Sequence, residues 1–303
     1  MEEVENVMKN VRILDCTLRD GGRIIDCAFP DTETKEISRR LAEAKIDIIE
    51  VGFLRDRRKV NYQGNSTFFT DVDQIRPFID KEKKGILYTA FIDYGMCDID
   101  TLKPYDGTSI DAIRFGFTKK NYDEEKEEVI RWINVIKERG YKLFIQGVNS
   151  LNYTDRELLE IVDMVNEVHP YSFGIVDTYG AMYMDDVDRL YGLIDHNMSS
   201  DICINFHSHN NYQLSFAFAQ EVIKLSGTSN RQIIIDGTLG GMGKVAGNLN
   251  TELIVDFLVR KKQYDYELDE IFDLLDDYIV KYSMNHKWGY STSAGICSVS
   301  CSD

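Results

Sequence analysis

Eight short β-branched, apolar runs recur along the chain, each followed by a longer amphipathic or polar stretch, and this alternation restricts the fold more than any other feature. The runs begin at Val11, Ile46, Ile86, Ile110, Lys142, Tyr171, Ile202 and Gln232, roughly every 25 to 40 residues. Such runs mark strands buried on both faces, as in a parallel sheet covered by helices. Eight βα cycles within 303 residues predict a (β/α)8 TIM barrel, a fold that typically needs about 250 residues.

The intervening stretches carry helix signals. In DTETKEISRRLAEA, Ile37, Leu41 and Ala44 mark one buried face, with Asp31 or Thr32 as the expected N-cap. DEEKEEVIRWINVIKERG opens with acids that suit the positive end of a helix dipole and stops at Gly140. Thr154 and Glu157 form a capping box ahead of a third helix. Two more helical patterns, at about 248–261 and 267–283, exceed what eight units require and are expected to finish or cap the barrel. The stretch NHKWGYSTSAGICSVSCSD is rich in Gly and Ser with weak periodicity. The chain therefore reads as a barrel domain over 1–284 and a C-terminal loop over 285–303, consistent with truncation from a longer parent.

Acidic residues outnumber basic ones 51 to 35, a net charge of −16 that repels a phosphate backbone. The densest basic run, RDRRK at 55–59, reads as a solvated loop, so nucleic acid is not an expected partner. Six cysteines, Cys16, Cys27, Cys97, Cys203, Cys297 and Cys301, form no CxxC pair and suggest reduced thiols in a cytoplasm. The start MEEVENVMKN is acidic without an apolar core, and no apolar run approaches the roughly 20 residues of a membrane span. Neither export nor a membrane location is expected.

In barrels of this kind reactive groups stand at the C-terminal ends of strands, and polar residues cluster at those ends here: DCTLRDGG, EVGF, QGVN, DTYG, HSHNN and DGTLGG. In HSHNN, His207 and His209 are two apart on a strand and so face the same side. Imidazole is a common metal ligand, and Asp20, at the end of the first strand, can add the carboxylate that hard cations prefer. Closure places strand one beside strand eight, so Asp20 and the histidines lie one strand apart across the mouth. Arg19 would bring a permanent positive charge alongside, and Gly21 and Gly22 suggest a tight turn. His169, His196 and His286 lack such context and read as structural or solvent-exposed. GGMGKVAGN at 240–248 could favour an anion through Lys244, but it is neither a Walker loop nor a dinucleotide fingerprint and equally suits a plain connection.

Together LDCTLRDGG, IIEVGF, VDTYG, FHSHNN and GMGKVAGN resemble the metal-dependent aldolases, lyases and acyl-transfer synthases related to 3-hydroxy-3-methylglutaryl-CoA lyase, in family order and across nearly the whole barrel. HSHNN is more similar to the 4-hydroxy-2-oxovalerate aldolase branch than to the lyases. The resemblance implies Asp20, His207 and His209 as metal ligands, with Asn248 as a further ligand or a neighbour supporting them. It implies Mn2+ or Mg2+, with Zn2+ or Co2+ as alternatives. Arg19 would stabilise a developing enolate, Thr178 supported by Asp177 would hold a 2-oxo acid, and Arg23 and His207 would line the substrate site. Tyr290 in KWGYS falls near a C-terminal tyrosine of those enzymes. The resemblance also implies association, as a homo-oligomer or with a dehydrogenase that takes the aldehyde.

Two departures stand out. Gly22 occupies the place of a glutamate common in the lyases and synthases, and Arg23 the place of the aldolases' histidine base. Arginine stays protonated near neutral pH and cannot be that base. Tyr290, Glu50 or a metal-bound water would then carry the proton, or the substrate differs. The expected reaction is divalent-metal-dependent making or breaking of a carbon–carbon bond in a 4-hydroxy-2-oxo acid, giving pyruvate or a related 2-oxo acid and an aldehyde. The rivals are a Schiff-base aldolase, which needs a lysine inside the barrel, a thioester-dependent Claisen-type synthase or lyase, and a metal-binding relative without turnover.

Overall fold

The computed structural model describes residues 10–59, 66–229 and 231–300, with side chains described to Ile296. Most of the acidic start and Cys301 lie outside the described residues. Eight parallel strands form a closed barrel: β1 (Val11–Asp15), β2 (Ile48–Leu54), β3 (Leu87–Asp93), β4 (Ala112–Thr118), β5 (Lys142–Val148), β6 (Ser172–Asp177), β7 (Cys203–Ser208) and β8 (Ile233–Gly237). Closure comes from β1, which sets Leu14 opposite Ile48 on one side and Val11 opposite Ile233 on the other. Each strand coincides with an apolar run read from the sequence, β2 and β4 continuing one residue beyond theirs, to Leu54 and Thr118.

The barrel interior is layered by the two-residue period of the strands. Leu14, Ile48, Leu87, Ala112, Phe144, Cys203 and Ile234 form an apolar lower layer together with Cys16. Two residues further along their strands stand Glu50, Arg114, Gln146, Asn205 and Asp236, all buried. Gly174 on β6 makes room for this layer, since a Cβ there would lie 2.2 Å from Gln146 Oε1. Outside the sheet, the main core packs the opposite strand faces, for example Ile13, Ile49, Ile113, Ile145 and Ile235, against the helices.

Five crossovers use α-helices, α1 (Asp31–Glu43), α2 (Lys119–Glu138), α3 (Asp155–Val168), α4 (Met184–Asn197) and α5 (Ser215–Ser229), and α6 (Thr251–Lys262) follows the last strand. Among the described residues the connections after β2 and β3 hold 3-10 turns in place of an α-helix, Arg57–Lys59 and Val72–Phe78 in the first connection and Ile99–Thr101 in the second. Pro77 sits inside the Val72–Phe78 turn, where it lacks a donor N–H and works against a longer helix. A two-residue strand, Phe68–Phe69, pairs with β2 in the connection after it and was not foreseen.

The helix ends differ in detail from expectation. α3 has the foreseen capping box of Thr154 and Glu157. In α1 neither Asp31 nor Thr32 is the cap: the N-cap is Pro30, and Asp31 stands in the first turn. α2 starts at Lys119, earlier than the acidic run, because Thr118 and Asn121 form a capping box, and it kinks at Glu125. After α6, α7 (Leu268–Leu274) runs through a π turn into α8 (Val280–Asn285). These extra helices cover α1: Arg40 donates to Asp277 (2.6 Å) and Tyr282 to Glu33 (2.7 Å), while Tyr282 meets Phe29 edge-on. The expected C-terminal loop instead contains a helix, α9 (Thr292–Ser300), docked through buried Ala294, whose carbonyl accepts from Asn211 Nδ2. Among the described residues no helix is long and apolar enough to cross a membrane.

Candidate active site at the barrel mouth

A cavity of about 310 Å³ opens at the C-terminal ends of the strands. The turn after β1 delivers Arg19 and Asp20 to it, with the N–H groups of Arg19, Asp20 and Gly21 all donating to Cys16 O. Gly22 is confined in the same turn: a Cβ would lie 3.0 Å from the Phe29 ring and 3.3 Å from Cys27 Sγ. A larger side chain at that position would have to displace these neighbours.

His207 and His209, at the end of β7, converge on Asp20. The His209 Nε2 to Asp20 Oδ2 distance is 3.5 Å and that from His207 Nε2 is 3.8 Å. Ligand atoms about 2.0–2.2 Å from one ion and near right angles to each other stand roughly 3 Å apart, so a modest contraction brings all three into bonding range. Asn248 Nδ2 donates to Asp20 Oδ2 at 3.0 Å, while the buried Asn248 Oδ1 has no hydrogen-bond partner. Asn248 is brought there by the glycine-rich loop: Gly247 adopts φ +80°, and a Cβ on it would lie 2.0 Å from Gly241 O. A donor set of one carboxylate, two imidazoles and an orphaned amide oxygen fits a divalent cation.

The second layer sets the electrostatics beneath. Arg114 reaches across the barrel, donating to Glu50 Oε2 (3.0 Å), to Asn205 Oδ1 (3.0 Å) and to Asp236 Oδ2. His207 Nδ1 donates to Asp236 Oδ2 at 3.0 Å, which leaves the Nε2 lone pair facing Asp20. Arg19 donates to Glu50 Oε2 (2.6 Å) and Asp20 Oδ1 (2.5 Å). Glu50 thus holds two guanidiniums through one oxygen, and its buried Oε1 has no partner. Burial opposes charge on Asp20, but Arg19, His209, His207 and Arg23 overcome it and hold its pKa well below the usual range. Burial likewise opposes the Asp236 charge, and Arg114 and His207 reverse it. For His209, burial wins over the Asp20 carboxylate and lowers its pKa to about 4, so the ring is neutral and able to ligate.

A second trio, Cys16, His207 and Asp236, also lies close together. Burial pushes the Cys16 thiol well above its ordinary pKa, and Arg114 and His207 already occupy the Asp236 carboxylate. This trio is poorly suited to an ion.

Of the residues singled out from the sequence, Arg19, Asp20, Arg23, Thr178, His207, His209 and Lys244 line the cavity. Asn248 stands against Asp20, and Glu50 lies beneath it behind Arg19. Thr178 Oγ1 accepts from the Asn149 N–H at 2.9 Å. Asp177 turns to the backbone N–H groups of Ala181 and Met182 rather than lining the cavity. Tyr290 is 66% exposed and is not part of the cavity wall. His169 caps α3 and pairs with Asp201 at 2.7 Å, away from the site. Arg114, Asp236, Asn205, Gln146 and Asp93 were not singled out. The available signal was a charged or polar residue set inside an apolar strand run, which must find a partner when buried.

A profile of the HMGL-like family matches residues 10–277. Among curated proteins, 4-hydroxy-2-oxovalerate aldolase of Pelotomaculum thermopropionicum is 26% identical over 271 residues, covering 88% of this chain and 74% of the relative. Oxaloacetate decarboxylase of Mycobacterium tuberculosis is 26% identical over 262 residues, covering 86% of this chain and 74% of the relative. Among solved structures, hydroxymethylglutaryl-CoA lyase of Pseudomonas aeruginosa superposes with a TM-score of 0.70 at 13% identity, covering 96% of this chain and 98% of the lyase, a likeness of fold.

Proposed function

The chain belongs to the HMGL-like family of carbon–carbon lyases, and on that premise we propose that it is a divalent-metal-dependent aldolase acting on a 4-hydroxy-2-oxo acid to give pyruvate, or a close 2-oxo acid, and an aldehyde. The observation that carries this reading is the convergence of Asp20, His207 and His209 on one point of the mouth, with the Arg19 guanidinium alongside. Mn2+ or Mg2+ would be held by Asp20 Oδ2, His207 Nε2 and His209 Nε2, with Asn248 Oδ1 as a further donor. Such an ion supplies Lewis-acid polarisation of the substrate's 2-oxo group.

The protein's own groups do the rest. Arg19, immobilised by Glu50, offers fixed donors where negative charge develops on the enolate oxygen, and it needs no reorganisation when that charge appears. Asp236 holds His207 in the tautomer that presents Nε2. Thr178 binds the carboxylate end of the 2-oxo acid. Glu50 is buried and shared between Arg19 and Arg114, so it serves as their counter-ion rather than as a proton carrier. Besides the candidate ligands, Asp93 and Tyr179 are the proton-accepting side chains that line the cavity among the described residues. Among the described residues Lys244 is the one lysine on that wall, and it is exposed at its edge, which disfavours Schiff-base chemistry inside the barrel.

The test is dialysis against a chelator, readdition of Mn2+ or Mg2+, and a pyruvate-release assay over a panel of 4-hydroxy-2-oxo acids. Release that is lost with the metal and restored by it is expected. Release that survives chelation and is trapped by borohydride would mean a Schiff-base enzyme, and no release across the panel would leave a binding protein.

A further inference from the structure

The charges of the site divide into two groups that balance differently. In the inner group Asp20, Glu50 and Asp236 face Arg19 and Arg114, so three carboxylates against two guanidiniums leave one negative charge. A divalent cation and the carboxylate of a 2-oxo acid bring this group to neutrality. The outer group, at the edge of the cavity, does not balance. Arg23, Lys244 and Asp93 line the wall, Arg55 pairs with Asp93, and Arg23 joins the two groups by donating to Asp20 Oδ1 at 3.1 Å, so that across both groups five cations face four carboxylates.

Asp93 is already engaged by Arg55 Nη2 and lies 3.9 Å from Arg23 Nη2. Arg23 and Arg55 sit over the same Phe53 ring, at 4.7 and 4.3 Å from its centroid. Two like charges packed on one phenyl ring repel each other, and the single carboxylate of Asp93 offsets only part of that repulsion, which leaves them suited to a further anion. Lys244 has no ion-pair partner among the described residues, and Val245 beside it holds φ 57°, a conformation that β-branched residues rarely adopt. The excess is local, because the chain as a whole carries a net charge of −16. A cationic edge on an acidic protein draws a small anion in and discriminates against a neutral molecule.

Resting on the aldolase reading above, we infer that the aldehyde half of the substrate carries its own oxyanion, a carboxylate or a phosphate, and that Arg23 and Lys244 bind it. Arg23 stands where a base would be expected from the resemblance, and here it takes a recognition role instead. The chemistry balances without a further reactant. The C3–C4 bond breaks, its electron pair passes to the enolate of pyruvate, the 4-hydroxyl proton leaves to a base, and the enolate is reprotonated at C3.

The experiment uses the full chain loaded with Mn2+, in the bond-forming direction, with pyruvate as donor. The acceptors are propionaldehyde, succinate semialdehyde and glyceraldehyde 3-phosphate. Exchange of the pyruvate methyl protons in D2O, with no acceptor present, reports the aldolase reading separately. The expected result is a kcat/KM at least about tenfold higher for one anionic acceptor than for propionaldehyde, since a charge-assisted contact is worth about that much or more. That ratio falls about tenfold in Arg23→Gln and also falls in the exposed-site variant Lys244→Gln. A preference for the semialdehyde identifies a carboxylate, and one for the phosphorylated aldehyde a phosphate. An equal or better rate with propionaldehyde, or a ratio unmoved by both substitutions, overturns the inference while methyl exchange leaves the aldolase reading standing. If exchange is absent, calorimetric binding of succinate and inorganic phosphate decides: binding that Arg23→Gln abolishes supports the anion site, and no binding refutes it.

Discussion

The two interior layers of the barrel stand on the same strands, two residues apart, yet opposite chemistries fill them. The lower layer, with Leu14, Ile48, Ala112, Phe144 and Ile234, is closed and apolar, and water-excluding packing of this kind stabilises a fold wherever it occurs. In the upper layer, Glu50, Arg114 and Asp236 are ions without solvent access, linked to Arg19 and His207. Buried ion networks contribute little net stability, because desolvation offsets their attraction. What this network achieves is orientation: it fixes Arg19 and the tautomer of His207 beneath the candidate metal site. The contrast teaches that stability and chemistry are carried by adjacent floors of one barrel, so each can be broken separately.

The largest separation of the two is expected from Arg19→Gln. Per mole of folded protein, its pyruvate methyl exchange in D2O should fall about 10²–10³-fold, the usual loss when a fixed oxyanion donor is removed. Retention of wild-type exchange would move enolate stabilisation to another group. The converse change is Phe144→Ala in the lower layer. Loss of this fully buried ring should cost about 3–5 kcal/mol in a denaturant titration while exchange by the folded enzyme stays within about threefold. A large loss of activity at full occupancy of the folded state would show that the layers are not separable.

A third, smaller effect contrasts the network's carboxylates with one that lacks a cation. Asp15 is buried and accepts from Thr17 N–H and Thr251 Oγ1, and burial raises its pKa to about 6. Its folded pKa lies above the unfolded value, so its contribution to stability is full below about pH 4 and is lost as pH rises through about 6. The loss is on the order of 2–3 kcal/mol. Asp15→Asn should flatten that part of the stability profile between pH 4 and 7, as followed by melting temperature, and an unchanged profile would assign the slope to other groups.

Much of this organisation was legible in the sequence. The strands were found because each apolar run is buried on both faces, and the HSHNN pair because a two-residue period forces both rings to one side. Arg114 and Asp236 were missed although each is a charged residue flanked by apolar ones, in IDAIRFGF and QIIIDGTL. Their partners come from strands far apart in sequence, so only closure of the barrel pairs them. α9 was read as loop because its Gly and Ser favour no helix on their own, and docking of Ala294 supplies what propensity lacks. The α1 cap escaped because Pro30 occupies the cap position, where a side-chain oxygen was expected.

The central claim is that Asp20, His207 and His209 hold one divalent cation. Titration of chelator-treated protein with Mn2+, followed by electron paramagnetic resonance of the free ion, tests it most directly. The account predicts one ion bound per chain, and binding weakened by at least about 100-fold in His209→Ala with the fold intact by circular dichroism. No bound ion in the intact protein, or a bound ion indifferent to loss of His209, would contradict it.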